Sequence, residues 1–391
     1  MGGSTGRWGC ALVSDGFPPA AHVGERAGDA VFMRRALELA RRGLGQTAPN
    51  PMVGAVIVRD GEVVGEGYHA RHGEAHAEAA ALRAAGDRAR GATVYVSLEP
   101  CAHTGKTPPC ADALVAAGVA RVVMAVSDPN PVAGGGAERL REAGVEVVRG
   151  VEEEAARELN AAFFHAMESE PAHRRPWITL KLALSLDSAI ADADGGSRWI
   201  TGPGARAAVH ELRAGSDAVA VGIGTVLADD PLLTVRDAPA PRVPPLRVVF
   251  DRHARTPLDS RLVAGARELR TLLVVEDPDP TAARALEEAG VELLRAASLE
   301  SALEELARRD VRSLLVEGGA RLAGALLERA LVDRLIIFRG AVLLGRGARG
   351  AFAHVPSMTI AGAPRYRVLE RRALGDDTMI TYAVRSECSP A

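Results

Sequence analysis

The chain reads as a two-domain α/β protein, and three observations predict this. Its 391 residues are too many for one ordinary hydrophobic core. Apolar β-runs alternate with amphipathic helical runs through both halves. Between the halves, Glu168 to Pro176 is polar and carries two prolines, the composition of a linker. The expected divisions are an extension over 1–26, a first domain over 27–150, a connecting helix and linker over 151–176, and a second domain over 177–391.

Composition narrows the function. An apolar share of 47% with 25% charged residues is an ordinary soluble balance. A net charge of -3 excludes general attraction to nucleic acid or anionic membrane. Only 4% of residues are aromatic, so platforms for stacking single-stranded bases are scarce. Of the four cysteines, Cys10 and Cys388 lie near the termini and Cys101 and Cys110 in one motif, which is no disulfide framework. A reducing cytoplasm is expected. No apolar run approaches the roughly 20 residues that span a bilayer. Residues 1–26 lack a continuous apolar stretch and read as a disordered extension, although Arg7 and few acids leave a transit role open.

In the first domain, Asp29 to Gly43 sets Val31, Met33, Leu37 and Leu39 among Arg and Glu, an amphipathic helix. Pro49-Asn50-Pro51 rigidifies a turn before the strand Ala55 to Val58. Asp60-Gly61 is a hairpin signal, so Glu62 to Tyr68 returns antiparallel. An alanine-rich helix is expected over Ala75 to Ala85. Ala92 to Leu98 is a strand ending at Glu99-Pro100-Cys101. Pro108-Pro109 restrict the next loop, and Cys110 opens the helix Ala111 to Ala117. A strand over Arg121 to Val126, a helix over Glu138 to Ala143 and a strand over Val145 to Val148 complete a mixed α/β sandwich. Glu152 to Met167 reads as one charged helix.

The chemistry concentrates between His76 and Cys110. His76, Cys101 and Cys110 make one imidazole and two thiols, a donor set suited to zinc. Three protein ligands leave a fourth position open, as catalytic zinc sites do. Glu78, two residues beyond His76, is placed to exchange protons with a water there. The pattern is similar to that of zinc nucleobase deaminases, except that eight residues rather than two separate the cysteines. Singly, each residue has a plainer reading: a structural histidine, two buried thiols, a disulfide. Jointly they point to a catalytic zinc. His76 and Cys110 fall at helix N-termini, which favour thiolate over thiol. His69 reads as structural or, with His72, as a local metal decoy. Asn50 is a turn residue whose carboxamide also suits the donor and acceptor edge of a pyrimidine. Lys106 and His103 lie in the loop between the cysteines, either as solvated residues or facing the substrate, with Lys106 offering charge to a phosphate.

The second domain alternates strands (Trp177 to Leu184, Ala218 to Val221, Leu246 to Phe250, Thr271 to Val275, Ser313 to Val316, Arg334 to Phe338) with helices (Gly204 to Arg213, Ala282 to Ala289, Leu299 to Arg308, Ala320 to Ala330). This predicts a mostly parallel sheet. Tyr366 to Glu370 and Thr378 to Val384 read as a closing hairpin. Val316-Glu317-Gly318-Gly319 is a strand end, a glycine pair and a helix start, a place for a pyrophosphate or simply a turn. Val221 to Thr225 is a second glycine turn. Arg213 and Arg236 are each ordinary surface charges in isolation.

These stretches together resemble the bifunctional riboflavin-biosynthesis deaminase/reductase family. The deaminase half is similar through N-P-x-V-G at Asn50 to Gly54, H-A-E at His76 to Glu78, and Glu99 to Cys110. The reductase half is similar through Lys181 to Asp187, Trp199-Ile200-Thr201, Thr225 to Pro231, and Val316 to Gly319. The likeness runs from about Asp29 to Val384, with one departure: Ser188 stands where the family has glycine. It implies a cytidine-deaminase-like α/β sandwich followed by a dihydrofolate-reductase-like α/β domain. It implies hydrolytic deamination of a pyrimidinone carrying a phosphoribosylamino arm, then NADPH-dependent reduction of that arm to ribityl. One zinc per chain would be held by His76, Cys101 and Cys110, with Glu78 as the proton shuttle. Ala183, Trp199, Thr225, Asp229 and the segment Gly319, Ala320, Arg321, Leu322, Ala323, Gly324 and Ala325 would touch NADPH. Ser197, Arg213, Leu233, Arg236 and Glu317 would hold the substrate of the second reaction, with Lys181 a further candidate. Asn50 and Lys106 would hold that of the first. The expected partner is a small phosphorylated pyrimidine, not nucleic acid or membrane, and the expected assembly is a homo-oligomer. Two other readings stay open: a deaminase of another nucleoside or of tRNA with a degenerate second domain, and a non-catalytic zinc module.

Overall fold

The computed structural model describes residues 21–104, 108–170, 174–352 and 354–384. Strand alternation sets the first sheet. In β1 (Gly54–Arg59), Ala55 and Ile57 pack on one face and Val56 and Val58 on the other. β1 pairs antiparallel with β2 (Glu62–Tyr68) and β3 (Thr93–Val96); β4 (Arg121–Met124) and β5 (Glu146–Arg149) add in parallel, giving the order β2-β1-β3-β4-β5. Helix α1 (Ala21–Arg41) covers one face with Met33, Ala36 and Leu37. It starts at Ala21, inside the stretch expected to be an extension. Helices α2 (Ala77–Ala85), α3 (Cys110–Ala117) and α4 (Gly136–Glu142) cover the other face through Ala81, Leu114 and Leu140. The seat of α2 requires Gly65 and Gly67 beneath it. A methyl group at either would lie 2.5 Å from the Ala81 carbonyl oxygen or 2.4 Å from that of Ala77. That close approach positions the first turn of α2, which carries Glu78.

The single helix expected over Glu152 to Met167 is two, α5 (Glu153–Leu159) and α6 (Ala161–Glu168). The break falls at Asn160. Its buried carboxamide donates to the Met52 carbonyl at 2.9 Å and accepts the Met52 N–H at 2.8 Å. A side chain committed to another segment's backbone holds Asn160 out of helical geometry.

The second domain holds β6 (Trp177–Leu184), β7 (Ala189–Ala191), β8 (Ala218–Gly222), β9 (Leu246–Phe250), β10 (Thr271–Val275), β11 (Glu292–Arg295), β12 (Ser313–Glu317), β13 (Arg334–Arg339), β14 (Arg349–Gly350), β15 (Tyr366–Leu374) and β16 (Asp377–Val384). Nine of them form one sheet, in the order β11-β10-β9-β8-β12-β6-β13-β16-β15. It is parallel from β11 to β13 and ends in the expected antiparallel hairpin. Flanking it are α7 (Pro203–Ala214), α8 (Ile223–Asp229), α9 (Arg261–Ala264), α10 (Pro280–Glu288), α11 (Leu299–Arg308) and α12 (Ala320–Glu328). β11 was not expected, because Glu292-Leu293-Leu294-Arg295 lacks the β-branched residues that announce the equally short β4 and β5. The second glycine turn is instead the start of α8, anchored by buried Val226. Ser188 takes φ +64 and its N–H donates to the Ser185 carbonyl at 3.1 Å. The turn therefore forms, with a non-glycine residue in the left-handed region.

The domains meet through polar contacts. The Gln46 amide donates to the Ala240 carbonyl at 2.8 Å, Arg242 to that of Ala48 at 2.5 Å, and Arg312 to that of Pro49 at 2.9 Å.

Candidate functional site

At the first domain's strand tips, the three expected metal ligands converge. His76 caps α2 and Cys110 is the first residue of α3. His76 Nδ1 lies 3.6 Å from Cys101 Sγ and 3.3 Å from Cys110 Sγ. All three ligand atoms lie within 4.8 Å of one another. Neighbouring ligands on a tetrahedral zinc stand about 3.5 Å apart, given Zn–N and Zn–S lengths, so the donor set fits that ion in kind and spacing. Cys101 also accepts the Cys110 N–H at 3.4 Å. The bond from Cys110, and then that from His76, holds the Cys101 thiol well below its usual range. Cys101 is thus primed to bind a cation as a thiolate.

Glu78 sits in the first turn of α2 at 3% exposure, and burial pushes its carboxyl up to about 7. Glu99 is not a ligand: it accepts the Ala137 N–H at 2.9 Å and the Asp128 N–H at 3.3 Å, tying the loop after β4 to the motif. His69 does more than the sequence suggested. Its ring packs edge-on to His76, with centroids 5.6 Å apart. Its Nδ1 lies 3.1 Å from the Ala75 carbonyl and its Nε2 3.3 Å from Asn50 Nδ2. Since Nδ1 must donate to that carbonyl and burial keeps the ring neutral, Nε2 accepts from Asn50. Asn50 is thereby oriented with its oxygen left for other partners. Asn50, His69, His76, Glu78, Cys101, His103 and Asp128 share one cavity of about 280 Å³. Lys106 lies outside the described residues.

The second site is a cavity of about 1700 Å³ at the C-terminal ends of β6, β8 and β12, where open α/β sheets place their ligands. Glu317 ends β12, and Arg213 of α7 grips it in a bidentate pair at 2.5 and 2.9 Å. Arg213 also donates to the Thr234 carbonyl at 2.8 Å. Burial raises the Glu317 carboxyl, but Arg213 and then Lys181 outweigh it and hold it below the usual range. Lys181 on β6 is lowered by burial, against the pull of Glu317, and its ammonium lies 5.7 Å from the Phe338 ring centroid. Arg236 is the less committed cation: its guanidinium donates to Thr234 Oγ1 at 2.9 Å, while its N–H donates to His210 Nδ1 at 3.1 Å. Ser197 donates to Asp229 at 2.5 Å. Trp199 is 70% exposed at the rim, its ring beneath Arg206.

Gly318 and Gly319 take φ +69 and +85, and Gly319 caps α12. A Cβ at Gly319 would lie 3.3 Å from Thr225 Oγ1. Bare backbone at a helix N-terminus beside a wide cavity suits a dinucleotide's phosphates. Ala183, Thr225, Asp229, Ala320, Arg321, Leu322 and Ala325 line that cavity. Ala323 and Gly324 do not: Ala323 is in the core and Gly324 packs on His354, because a helix turns these positions to its inner face. Leu233 borders the cavity at 2% exposure with φ +52, its side chain in the core. Only its backbone is free to face a ligand.

Fold and sites together define a two-domain enzyme class, a zinc-type deaminase joined to a reductase. Residues 27–126 match the cytidine and deoxycytidylate deaminase zinc-binding region, and residues 176–380 match the RibD C-terminal domain. The chain is 45% identical to the riboflavin biosynthesis protein RibD of Escherichia coli over 90% of its own length and 98% of that protein's. It is 41% identical to the Aquifex aeolicus RibD over 90% and 98%. Among solved structures, Acinetobacter baumannii RibD superposes with a TM-score of 0.78 at 40% identity, covering 92% of this chain and all of that one. A Thermotoga maritima diaminohydroxyphosphoribosylaminopyrimidine deaminase/5-amino-6-(5-phosphoribosylamino)uracil reductase gives 0.79 at 36% identity, covering 92% of this chain. The chain belongs to the RibD family of bifunctional riboflavin-biosynthesis deaminases and reductases, whose cofactors are zinc and NADPH. No helix among the described residues is long and apolar enough to cross a membrane.

Proposed function

We propose that the first domain hydrolyses the amino group of 2,5-diamino-6-ribosylamino-4(3H)-pyrimidinone 5′-phosphate and that the second reduces the ribosyl arm of the product to ribityl. The convergence of His76, Cys101 and Cys110 beside the buried Glu78 carries this reading. These three residues would hold the zinc, whose Lewis acidity makes a water nucleophilic near neutral pH. Glu78 takes the proton of the attacking water and returns it to the departing amine. Asn50, held by His69, reads the ring edge, and Lys106 serves the substrate from its loop.

In the second cavity, NADPH supplies the hydride. Gly319 and the first turn of α12 receive its phosphates; Ala183, Trp199, Thr225 and Asp229 border it. Glu317, Lys181 and Ser197 hold the sugar arm, the Leu233 backbone borders it, and Arg236 takes the substrate phosphate. Arg213 acts by fixing Glu317. With no protein nucleophile required, rate comes from orientation. The division into 27–150, 151–176 and 177–391, a cytoplasmic setting and a homo-oligomer belong to the same reading. The test is incubation of purified protein with the diaminopyrimidinone phosphate, with and without NADPH. Ammonia release in both cases and NADPH oxidation only after deamination are expected; no ammonia from zinc-loaded protein would overturn the reading.

A further inference from the structure

We propose that Arg312, a residue of the second domain, binds the substrate phosphate in the metal cavity of the first. The inference rests on the deaminase reading above and adds a residue to that site from across the domain boundary. Among the described residues that line the metal cavity, Arg312 is the one permanent cation, whereas Glu78, Glu99 and Asp128 bring carboxyls. A phosphorylated substrate entering so acidic a space needs a positive partner.

Arg312 is built to be that partner. Its N–H donates to Asp217 Oδ2 at 3.0 Å, and the same oxygen receives the Ser313 N–H and hydroxyl, each at 2.9 Å. Its carbonyl accepts the Trp177 N–H at 2.8 Å. With the backbone so pinned, the half-buried side chain reaches over the domain boundary to the Pro49 carbonyl at 2.9 Å, beside Asn50. That bond uses one of the guanidinium's five donors. The rest have no protein partner among the described residues. The side chains of Gln46 and Arg242, which bond across the same boundary to the carbonyls of Ala240 and Ala48, do not line the cavity. Arg312 directly precedes β12, and Glu317 ends it. One strand of five residues, roughly 16 Å long, therefore carries a binding group for each cavity at its two ends.

The experiment uses the full-length zinc-loaded protein and its Arg312→Gln and Arg312→Lys variants. Deamination is measured with the phosphorylated pyrimidinone and with its dephosphorylated nucleoside, and NADPH oxidation is followed in the same preparations as a check on folding. The expected result for Arg312→Gln is a KM about 10- to 100-fold higher for the phosphorylated compound, as for loss of a hydrogen-bonded charge, with kcat held. The nucleoside and the reductase step should be unaffected, and Arg312→Lys should recover part of the loss. Equal losses with both compounds would reduce Arg312 to a tie between domains. No loss with either would hand the phosphate to another group, Lys106 first. Wild-type protein that deaminates neither compound would overturn the deaminase reading, and this inference with it.

Discussion

The Arg213–Glu317 pair lends itself to a double-mutant cycle. The two side chains are 11% and 10% exposed and meet in a bidentate pair at 2.5 and 2.9 Å. Removing one partner of a buried pair costs about 3–5 kcal/mol, because the other charge is left uncompensated. Lys181, which also draws Glu317 down, offsets part of that, so Arg213→Ala should cost about 3 kcal/mol in the second domain. Glu317→Ala should cost a similar amount, and the double variant clearly less than the sum. The sign with pH follows from Glu317. Its carboxyl is held below the usual range in the folded protein, so the pair stabilises above the unfolded pKa and is lost as pH falls through the folded one. The penalty of Arg213→Ala should therefore be largest at neutral pH and shrink on acidification, as its orphaned Glu317 becomes protonated. Denaturant unfolding across pH, monitored by a probe in the second domain, reads this out. Additive single losses, or a penalty that grows on acidification, would refute the reasoning. Deamination should survive all three variants while NADPH oxidation falls.

Two further outcomes are expected. A chelator should abolish ammonia release but leave NADPH oxidation with the already deaminated compound intact; loss of both would contradict two separate sites. Ser188→Gly should raise stability by about 1 kcal/mol, since glycine meets φ +64 without the side-chain penalty; a lower melting temperature would show that the Ser188 side chain contributes more than its backbone costs.

The metal site was legible because its residues sit in one contiguous stretch, with His76 and Cys110 at helix starts that prolines and alanines announce. The sheets were legible through β-branched and apolar runs such as Ala92 to Leu98 and Trp177 to Leu184. What escaped the sequence depends on distant partners. Nothing near Asn160 in the chain announces that Met52 will claim its carboxamide and split a helix. His69 passed for a structural residue or a decoy because its bond to Asn50 spans a hairpin. Nothing local in the sequence marks Arg312, since Pro49, whose carbonyl it reaches, lies 263 positions away. Ala323 and Gly324 lie away from the cavity for a local reason: a helix presents only one side of a continuous motif to it.

Zinc content and ammonia release measured together on Glu78→Ala test the deaminase assignment most directly. Full zinc occupancy with ammonia release lost is the expected pair of results. Normal release would remove Glu78 from the chemistry, and zinc lost along with activity would make it a ligand rather than the carrier of the proton.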